Sequence, residues 1–396
     1  MPSLSSERLH IVLAGACNSG KSALINAICG HMVALVTDVA GTTTDPVRKA
    51  VELPGIGACT VIDTAGLDDM HQLGTLRMER SRQEINSADI IVALIDPGRP
   101  RWSVSLMTDL HKHGHPVIPV LPKADLYSDA TRLATRLSEL LTANVIPVSA
   151  VSGVGLEALY NAIRSAAGRD ETSLTGNLVF PGATVLLVMP QDPQAPKGRL
   201  ILPQVQTLRE ILDKQASALC CTTENLADML ASLKSMPDLI VTDSQVFDTV
   251  AAIVPPSVPI TSFSVLMAAY KGDLQLFLEG AEAITSLPAS CRVLIAESCS
   301  HFPQDGDIGR VKIPALLRKI AGDDITIDIV SGTDFPSDLE SLSSYDLIVH
   351  CGGCMFTRAH VLARIARARQ AGVPVTNYGI LIAKATGILS RVVFPT

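Results

Sequence analysis

Leu9-His10-Ile11-Val12-Leu13-Ala14-Gly15-Ala16-Cys17-Asn18-Ser19-Gly20-Lys21-Ser22 is an apolar strand, Leu9 to Ala14, that runs straight into the pattern G-x-x-x-x-G-K-S. A helix from Ala23 to about Cys29 follows. Strand, glycine-rich loop and helix in this order form the cradle of a P-loop α/β domain. The glycines let backbone N–H groups curl around phosphate oxygens, and the helix points its positive end at them. Gly15, Asn18, Ser19, Gly20, Lys21, Ser22 and Ala23 are the expected contacts. Lys21 supplies a point charge to the outer phosphates, and the Ser22 hydroxyl is placed to bind Mg²⁺.

The rest of a nucleotide site follows in order. Gly41-Thr42-Thr43-Thr44-Asp45 lies in an expected mobile loop, where Thr43 closes the Mg²⁺ shell. Cys59 to Ile62 is a strand that ends in Asp63-Thr64-Ala65-Gly66, the D-x-x-G pattern. Asp63 holds the metal's water shell and the Gly66 N–H senses the terminal phosphate. Lys21, Thr43, Asp63 and Gly66 are therefore the candidate catalytic set. Ile90 to Asp96 and Val117 to Leu121 are two more strands; Pro122-Lys123-Ala124-Asp125 follows the second, and Ser149-Ala150-Val151 comes later. A helix from Gly155 to Ala167 and the polar run Gly168 to Ser173 close this domain, with a boundary near residue 170.

That order of motifs resembles the translation-factor-like GTPases, in the branch that includes MnmE and Era. The resemblance implies GTP. Lys123 and Asp125 match two residues of the guanine-reading motif, with Asp125 accepting from the guanine N1 and N2 donors; Ser149 and Ala150 are carried over as GTP contacts. Pro122 stands where the branch has an asparagine, which removes a brace from the loop. Leu67 follows Gly66, so the water-orienting glutamine of Ras-like proteins is absent. Asn18 matches the asparagine that coordinates an activating K⁺ in this branch; its plain alternative is a turn former. Slow, K⁺-stimulated GTP hydrolysis is what the resemblance implies.

The whole chain sets the limits. Its 396 residues are enough for two to four domains, 47% of them are hydrophobic, and the mean hydropathy is +0.32. No apolar run is long enough to cross a bilayer, and Met1 to His10 lacks a signal-peptide pattern, so a cytoplasmic protein is expected. A net charge of −7 argues against a general nucleic-acid binder. Nine cysteines in such a chain do not suggest disulfides.

From Ala183 onward, strand and helix alternate again. The pattern predicts strands at Ala183–Met189, Asp238–Val241 and Pro259–Ser262, and helices at Gln204–Gln215, Glu224–Lys234 and Ser244–Val254. No phosphate loop or nucleophile–base pair stands out, so an oligomerisation role is expected. Ser264 to Thr285 reads as one long helix.

Chemistry returns at two strand ends. Val293-Leu294-Ile295-Ala296 leads to Cys299-Ser300-His301, and Leu347-Ile348-Val349 leads to His350-Cys351-Gly352-Gly353-Cys354. Ligand sets just past the carboxyl ends of parallel strands lie where open α/β sheets form sites. Cys299, Cys351, Cys354 and one histidine would make a structural zinc site, and thiolates equally suit an iron–sulfur cluster. Spacing leaves both open. For a fourth ligand, His301, His350 and Asp305 are the candidates, and His350 should diverge from Cys351 on an extended segment. Arg358, Arg364, Arg367 and Arg369 read mostly as a solvated helix face, the alternative being that they balance an anionic cluster.

A GTPase of this branch joined to Cys-x-His and then His-Cys-x-x-Cys resembles the HydF family of FeFe-hydrogenase maturation GTPases. Thr242-Asp243-Ser244-Gln245, Ser264-Val265-Leu266-Met267 and Asn377-Tyr378-Gly379 are similar to stretches of that family. The resemblance implies three α/β domains: a GTPase domain at 1–170, a dimerisation domain at 171–263 and a cluster-binding domain at 264–396. It also implies a 4Fe–4S cluster on Cys299, Cys351 and Cys354 with one exchangeable iron, beside a di-iron precursor of the hydrogenase H-cluster. The implied partners are the apo-hydrogenase, the two radical-SAM maturases and further copies of the chain in a dimer or tetramer. The rival reading is a zinc-stabilised GTPase acting in tRNA modification or ribosome assembly.

Overall fold

The computed structural model describes residues 8–31, 37–39, 47–53, 56–68, 80–111, 115–167, 173–190, 200–298, 308–332, 334–336 and 338–396. The chain divides into two compact units, Met1–Asp170 and Glu171–Thr396. Among the described residues no helix is long and apolar enough to cross a membrane.

The first unit is built on a seven-stranded sheet: β1 (Leu9–Gly15), β2 (Thr37–Val39), β3 (Val47–Leu53), β4 (Gly57–Asp63), β5 (Ile90–Leu94), β6 (Val117–Leu121) and β7 (Ile146–Pro147). They lie in the order β2-β3-β4-β1-β5-β6-β7, and β3 alone runs against the others, pairing antiparallel with β2 and β4. β1 is central, and Ile11 to Ala14 are fully buried, which is why its sequence is a continuous apolar run rather than an alternating one. Helices Lys21–His31, Pro100–His111, Ala130–Leu141 and Leu156–Ala166 belong to the same unit.

The second unit holds two four-stranded parallel sheets that share a hydrophobic core. The first contains β8 (Thr184–Val188), β9 (Ser217–Cys221), β10 (Leu239–Thr242) and β11 (Ile260–Ser262), in the order β11-β10-β8-β9. The second contains β12 (Arg292–Ala296), β13 (Thr326–Val330), β14 (Leu347–His350) and β15 (Val375–Asn377), in the order β13-β12-β14-β15. These are the same topology. The chain places a second strand on one side of the first, then crosses to the other side for the third and fourth.

The likeness extends to residues and bonds. Asp238-Leu239-Ile240-Val241 corresponds to Asp346-Leu347-Ile348-Val349, and Pro259-Ile260-Thr261 to Pro374-Val375-Thr376. Asp238 accepts from the Thr184 N–H at 2.8 Å, and Asp346 accepts from the Arg292 N–H at 2.7 Å. The Ile240 N–H bonds Pro259 O and the Ile348 N–H bonds Pro374 O, both at 2.9 Å. The second unit is an internal duplication. The corresponding residues Ser264 and Gly379 also meet each other, a Cβ on Gly379 falling 2.8 Å from the Ser264 Cβ. Matching residues in mutual contact are what a two-fold interface produces.

Three features differ from the sequence expectation. The long helix at Ser264–Thr285 is two helices, Phe263–Lys271 and Leu274–Glu282. Asp273 caps the second by accepting from the Leu276 N–H, and the Phe277 ring fills the space beside Gly272, where a Cβ would lie 2.3 Å from it. The helix Arg358–Gln370 is not simply solvated: Arg364 is only 3% exposed and Arg367 is partly buried against Pro336 O. Strands β2, β3, β7, β9 and β15 are additions, each too short or too polar to stand out in periodicity.

The start of the second unit is fastened by Glu210, on the helix Leu202–Asp213. Its carboxylate accepts from Ser173 Oγ (2.6 Å), Leu174 N (2.7 Å), Thr175 N (2.9 Å) and Thr175 Oγ1 (2.7 Å). Burial pushes this carboxyl up, but the hydroxyl and N–H donors outweigh it and hold the group below the usual range. The stabilisation is therefore complete above the unfolded-state pKa and fades as pH falls through the lower folded value. Glu210→Ala should cost about 2–3 kcal/mol in urea unfolding at pH 7, a difference that shrinks below about pH 4.

Candidate nucleotide and metal sites

In the first unit β1 and β4 lie side by side, with Leu13 opposite Asp63. This brings the loop after β1 and the Asp63–Gly66 turn together. Ser22 Oγ donates to Asp63 Oδ2 at 2.5 Å, and Thr64 Oγ1 donates to Leu13 O at 2.6 Å. Gly66 lies so close to the loop that a Cβ would fall 2.3 Å from Cys17 Sγ and 2.6 Å from Cys17 N. Asn18 takes the left-handed conformation (φ 57°), which asparagine tolerates better than most side chains, and Gly20 has φ 101°.

Lys21 is buried, and its ammonium donates to Ala16 O (2.8 Å) and Gly15 O (3.3 Å). Burial lowers its pKa, while Asp63, Cys17 and Asp68 oppose that shift. Two buried oxygens here, Ser19 Oγ and Asp63 Oδ1, have no partner among the described residues. A cation beside Ser22 and Asp63, with phosphate oxygens in the loop, supplies what these atoms lack. The residues fit an Mg²⁺–phosphate group.

The residues expected to read the base lie at neighbouring strand ends. Lys123, itself left-handed (φ 56°), donates through Nζ to Asn18 O at 2.8 Å, and its side chain lies along Gly20. Asp125 is exposed on the short turn Ala124–Leu126. The Ala124 N–H bonds Val148 O at 3.1 Å, so the backbone braces this loop where Pro122 offers no side-chain donor. Ser149 is buried, with Oγ accepting from the Val151 and Ser152 N–H groups (3.2 and 3.1 Å), and Ala150 follows it. Ala23 is exposed on the first helical turn. Thr43 lies outside the described residues.

Asp68 went unnoticed in the sequence. Its Oδ1 accepts from the Cys17 N–H at 2.6 Å, while Arg99 binds Oδ2 at 2.8 Å and Asp96 Oδ2 at 2.8 Å. Burial pushes the Asp68 carboxyl up, but the Cys17 N–H and the Arg99 guanidinium hold it below the usual range. A carboxylate on a loop N–H marks that N–H as an anion-binding donor.

In the second unit β12 and β14 are parallel neighbours with Ala296 opposite His350. The chain leaves β12 toward β13 on one side and returns to β14 on the other. The crevice between the two strand tips is thus a topological switch point. The Cys351 N–H bonds Ala296 O at 3.0 Å. Cys351 Sγ accepts from the Ser298 N–H at 3.1 Å and lies 2.9 Å from Ser298 Oγ. Gly353 turns the chain with φ 67°. Burial, with Cys351 nearby, pushes the Cys354 thiol up to about 11, against the pull of Lys271.

His350 is buried, with Nδ1 2.7 Å from Cys351 O and Nε2 3.4 Å from Arg364 Nη1. Burial and then Arg364 push its pKa down to about 3, so both ring nitrogens of a neutral imidazole are engaged. Arg364 also donates to Gly332 O and sits over the rings of Phe335 and Phe356, at 4.9 and 4.4 Å. Burial brings its pKa down to about 10. Glu297, buried beside the β12 tip, pairs with Arg310 at 3.0 Å and accepts from Ser331 Oγ at 2.9 Å.

Cys299, His301 and Asp305 lie outside the described residues, and among the described residues no three His, Cys, Asp or Glu side chains form a cage. What is described still fits a soft, anionic group: two thiols on a glycine turn at a switch point, an N–H donor to sulfur and buried cations nearby. Sequence reasoning missed Ser298, Glu297 and Lys271. Lys271 comes from 82 residues away and has no local pattern to announce it.

Residues 174–272 match the hydrogen maturase F dimerization domain, residues 275–395 the hydrogen maturase F tetramerization domain, and residues 10–123 the 50S ribosome-binding GTPase domain. The first unit is accordingly a GTPase domain. The tRNA modification GTPase MnmE of Xanthomonas oryzae pv. oryzae is 39% identical over 160 residues, covering 40% of this chain and 34% of that protein. MnmE of Neisseria gonorrhoeae is 37% identical over 172 residues, covering 41% and 36%. The chain thus spans about a third of the length of these curated relatives. Among solved structures, the G domain of the T. maritima FeoB iron transporter covers 41% of this chain and 99% of its own, at 25% identity and a TM-score of 0.33. With two hydrogen maturase F domains side by side behind a GTPase domain, the chain belongs to the hydrogen maturase F (HydF) family.

Proposed function

We propose that this protein is a cytoplasmic maturation scaffold for FeFe-hydrogenase, one that binds a 4Fe–4S cluster and couples its task to GTP hydrolysis. In this reading Cys299, Cys351 and Cys354 hold the cluster. The protein, a homodimer or tetramer, carries a di-iron H-cluster precursor from the two radical-SAM maturases to the apo-hydrogenase. The observation that supports it most is the meeting of the β12 and β14 tips, which brings the Cys351–Cys354 turn to the segment leading into Cys299. When bound there, the cluster supplies an iron site that exchangeable ligands reach. Because His350 spends both ring nitrogens on Cys351 O and Arg364, it acts by holding the Cys351 backbone. His301 and Asp305 remain the candidates for the exchangeable position.

In the GTPase domain Lys21 neutralises the outer phosphates, Ser22 and Thr43 ligate Mg²⁺ and Asp63 orders its water shell. Gly66 presents its N–H to the terminal phosphate. Asn18 supplies a K⁺ site through its side chain, which its left-handed backbone leaves exposed at the loop.

Anaerobic purification followed by visible and EPR spectroscopy tests the cluster. The expected result is charge-transfer absorption and a reduced-state EPR signal matching one cubane per chain. Colourless protein containing zinc would instead favour a zinc-stabilised GTPase acting on tRNA or the ribosome. On the same sample GTP turnover should need Mg²⁺ and run faster in K⁺ than in Na⁺, because the two ions carry the same charge and differ in the size of the coordination site they fill. Equal rates in the two salts would remove the role given to Asn18.

A further inference from the structure

Behind the Cys351–Cys354 turn lies a buried ammonium. Lys271, the last residue of the helix Phe263–Lys271, is 3% exposed. Its Nζ donates to Gly353 O (3.3 Å), Cys354 O (3.4 Å) and Phe356 O (2.5 Å). A hydroxyl or amide would tie such carbonyls without the desolvation of a full charge.

The internal duplication provides a comparison within the same molecule. Aligning Pro259-Ile260-Thr261 with Pro374-Val375-Thr376 places Lys271 opposite Thr386, and Gly272 opposite Gly387. Among the described residues Thr386 Oγ1 bonds within its own helical end, to Ile382 O at 2.7 Å and Ala383 O at 3.5 Å. The strand tip that corresponds to His350-Cys351 is Thr242-Asp243, which has no thiol. The two halves thus share a topology, cap their strands with the same bonds and differ at this point. The ammonium faces the half that carries the thiols.

We propose that Lys271 is a positioning residue of the cluster site: it fixes the Cys351–Phe356 turn and places its ammonium behind Cys354. This rests on the cluster reading of the preceding section. Three thiolates on a cubane make an anionic assembly, and reduction adds another negative charge. A fixed cation at hydrogen-bond distance from the ligand backbone favours binding, and it favours the reduced state over the oxidised one.

The test uses the full-length protein, reconstituted anaerobically. Lys271→Gln keeps donors for the carbonyls and removes the charge. It should lower the cluster midpoint potential by about 59 mV, the equivalent of a tenfold change for one electron. It should also speed iron loss to a chelator about tenfold, as loss of an outer-shell partner does. Lys271→Arg should restore both, and Thr386→Ala should change neither. A merely structural role would lower thermal stability without moving the potential, so an unchanged potential in Lys271→Gln overturns the proposal. Should that variant fail to fold, Lys271→Arg decides, because a potential that departs from the parent's while the charge is kept overturns it equally. A parent protein that takes up no iron refutes the cluster reading itself, which is a different failure.

Discussion

Replacing Lys21 with alanine should cut GTP turnover about a hundred- to a thousandfold, the usual consequence of deleting a preorganised donor to developing charge. The structure explains why the effect should be large and local. Lys21 is buried beside the loop's own carbonyls, Gly15 O and Ala16 O, and near Asp63. Burial already works against its charge, which an anion in the loop would offset. Alanine at the first helical turn is compatible with the helix Lys21–His31 and removes a desolvated charge, so the domain should keep its stability. Steady-state GTPase assays with circular dichroism make the distinction. Loss of turnover with an intact spectrum is expected, and turnover within a few-fold of the parent would remove Lys21 from the machinery.

The nucleotide half of the molecule was legible because its chemistry is local. A phosphate loop must be contiguous, since the N–H groups that cradle one phosphate come from successive residues, and Gly15 to Ser22 therefore carries its reading in one line. Asp63 and Gly66 are equally local. Asp68 was not legible, because its importance comes from reaching Cys17 across the strand pair β1–β4 and from Arg99 reaching back to it. The order of elements was likewise readable from continuous apolar strands such as β1, β6 and β14. The break at Gly272-Asp273 was not, because apolar periodicity continues through it and only the Phe277 ring and the Asp273 cap mark the corner. Arg364 was misread for the same kind of reason. On a helix rich in arginine it looks solvated, yet it turns to the Gly332 carbonyl and to two aromatic rings that sequence spacing does not bring near. The duplication was hidden because its two copies agree in strand ends and capping bonds more than in composition.

Replacing either thiol of the Cys351–Cys354 turn with serine should strip most of the iron. Loss of an outer-shell partner lowers metal affinity by about 10- to 100-fold, and loss of a direct ligand should exceed that. Serine has the right shape and the wrong softness. Its oxygen must lose a far less acidic proton, and a hard alkoxide is a poor partner for an iron–sulfur cluster. The two sites should differ in degree. Cys351 Sγ already accepts from the Ser298 N–H, a bond that an oxygen would also take and that helps carry negative charge, so Cys351→Ser should retain traces of iron. At Cys354 burial pushes the thiol up to about 11, so a serine there meets the same burial with an even less acidic group. Cys354→Ser should therefore be the emptier of the two, and Cys299→Ser should also lose the cluster if it is the third ligand. Cys291 is the control. It is buried, but it stands just before β12, five residues of strand from the tip, so roughly 17 Å away at about 3.3 Å per residue. Cys291→Ser should keep the parent's iron content and EPR signal. Iron and acid-labile sulfide assays on the four variants decide the matter. If Cys291→Ser lost as much iron as Cys354→Ser, the metal would not be at the β12–β14 switch point.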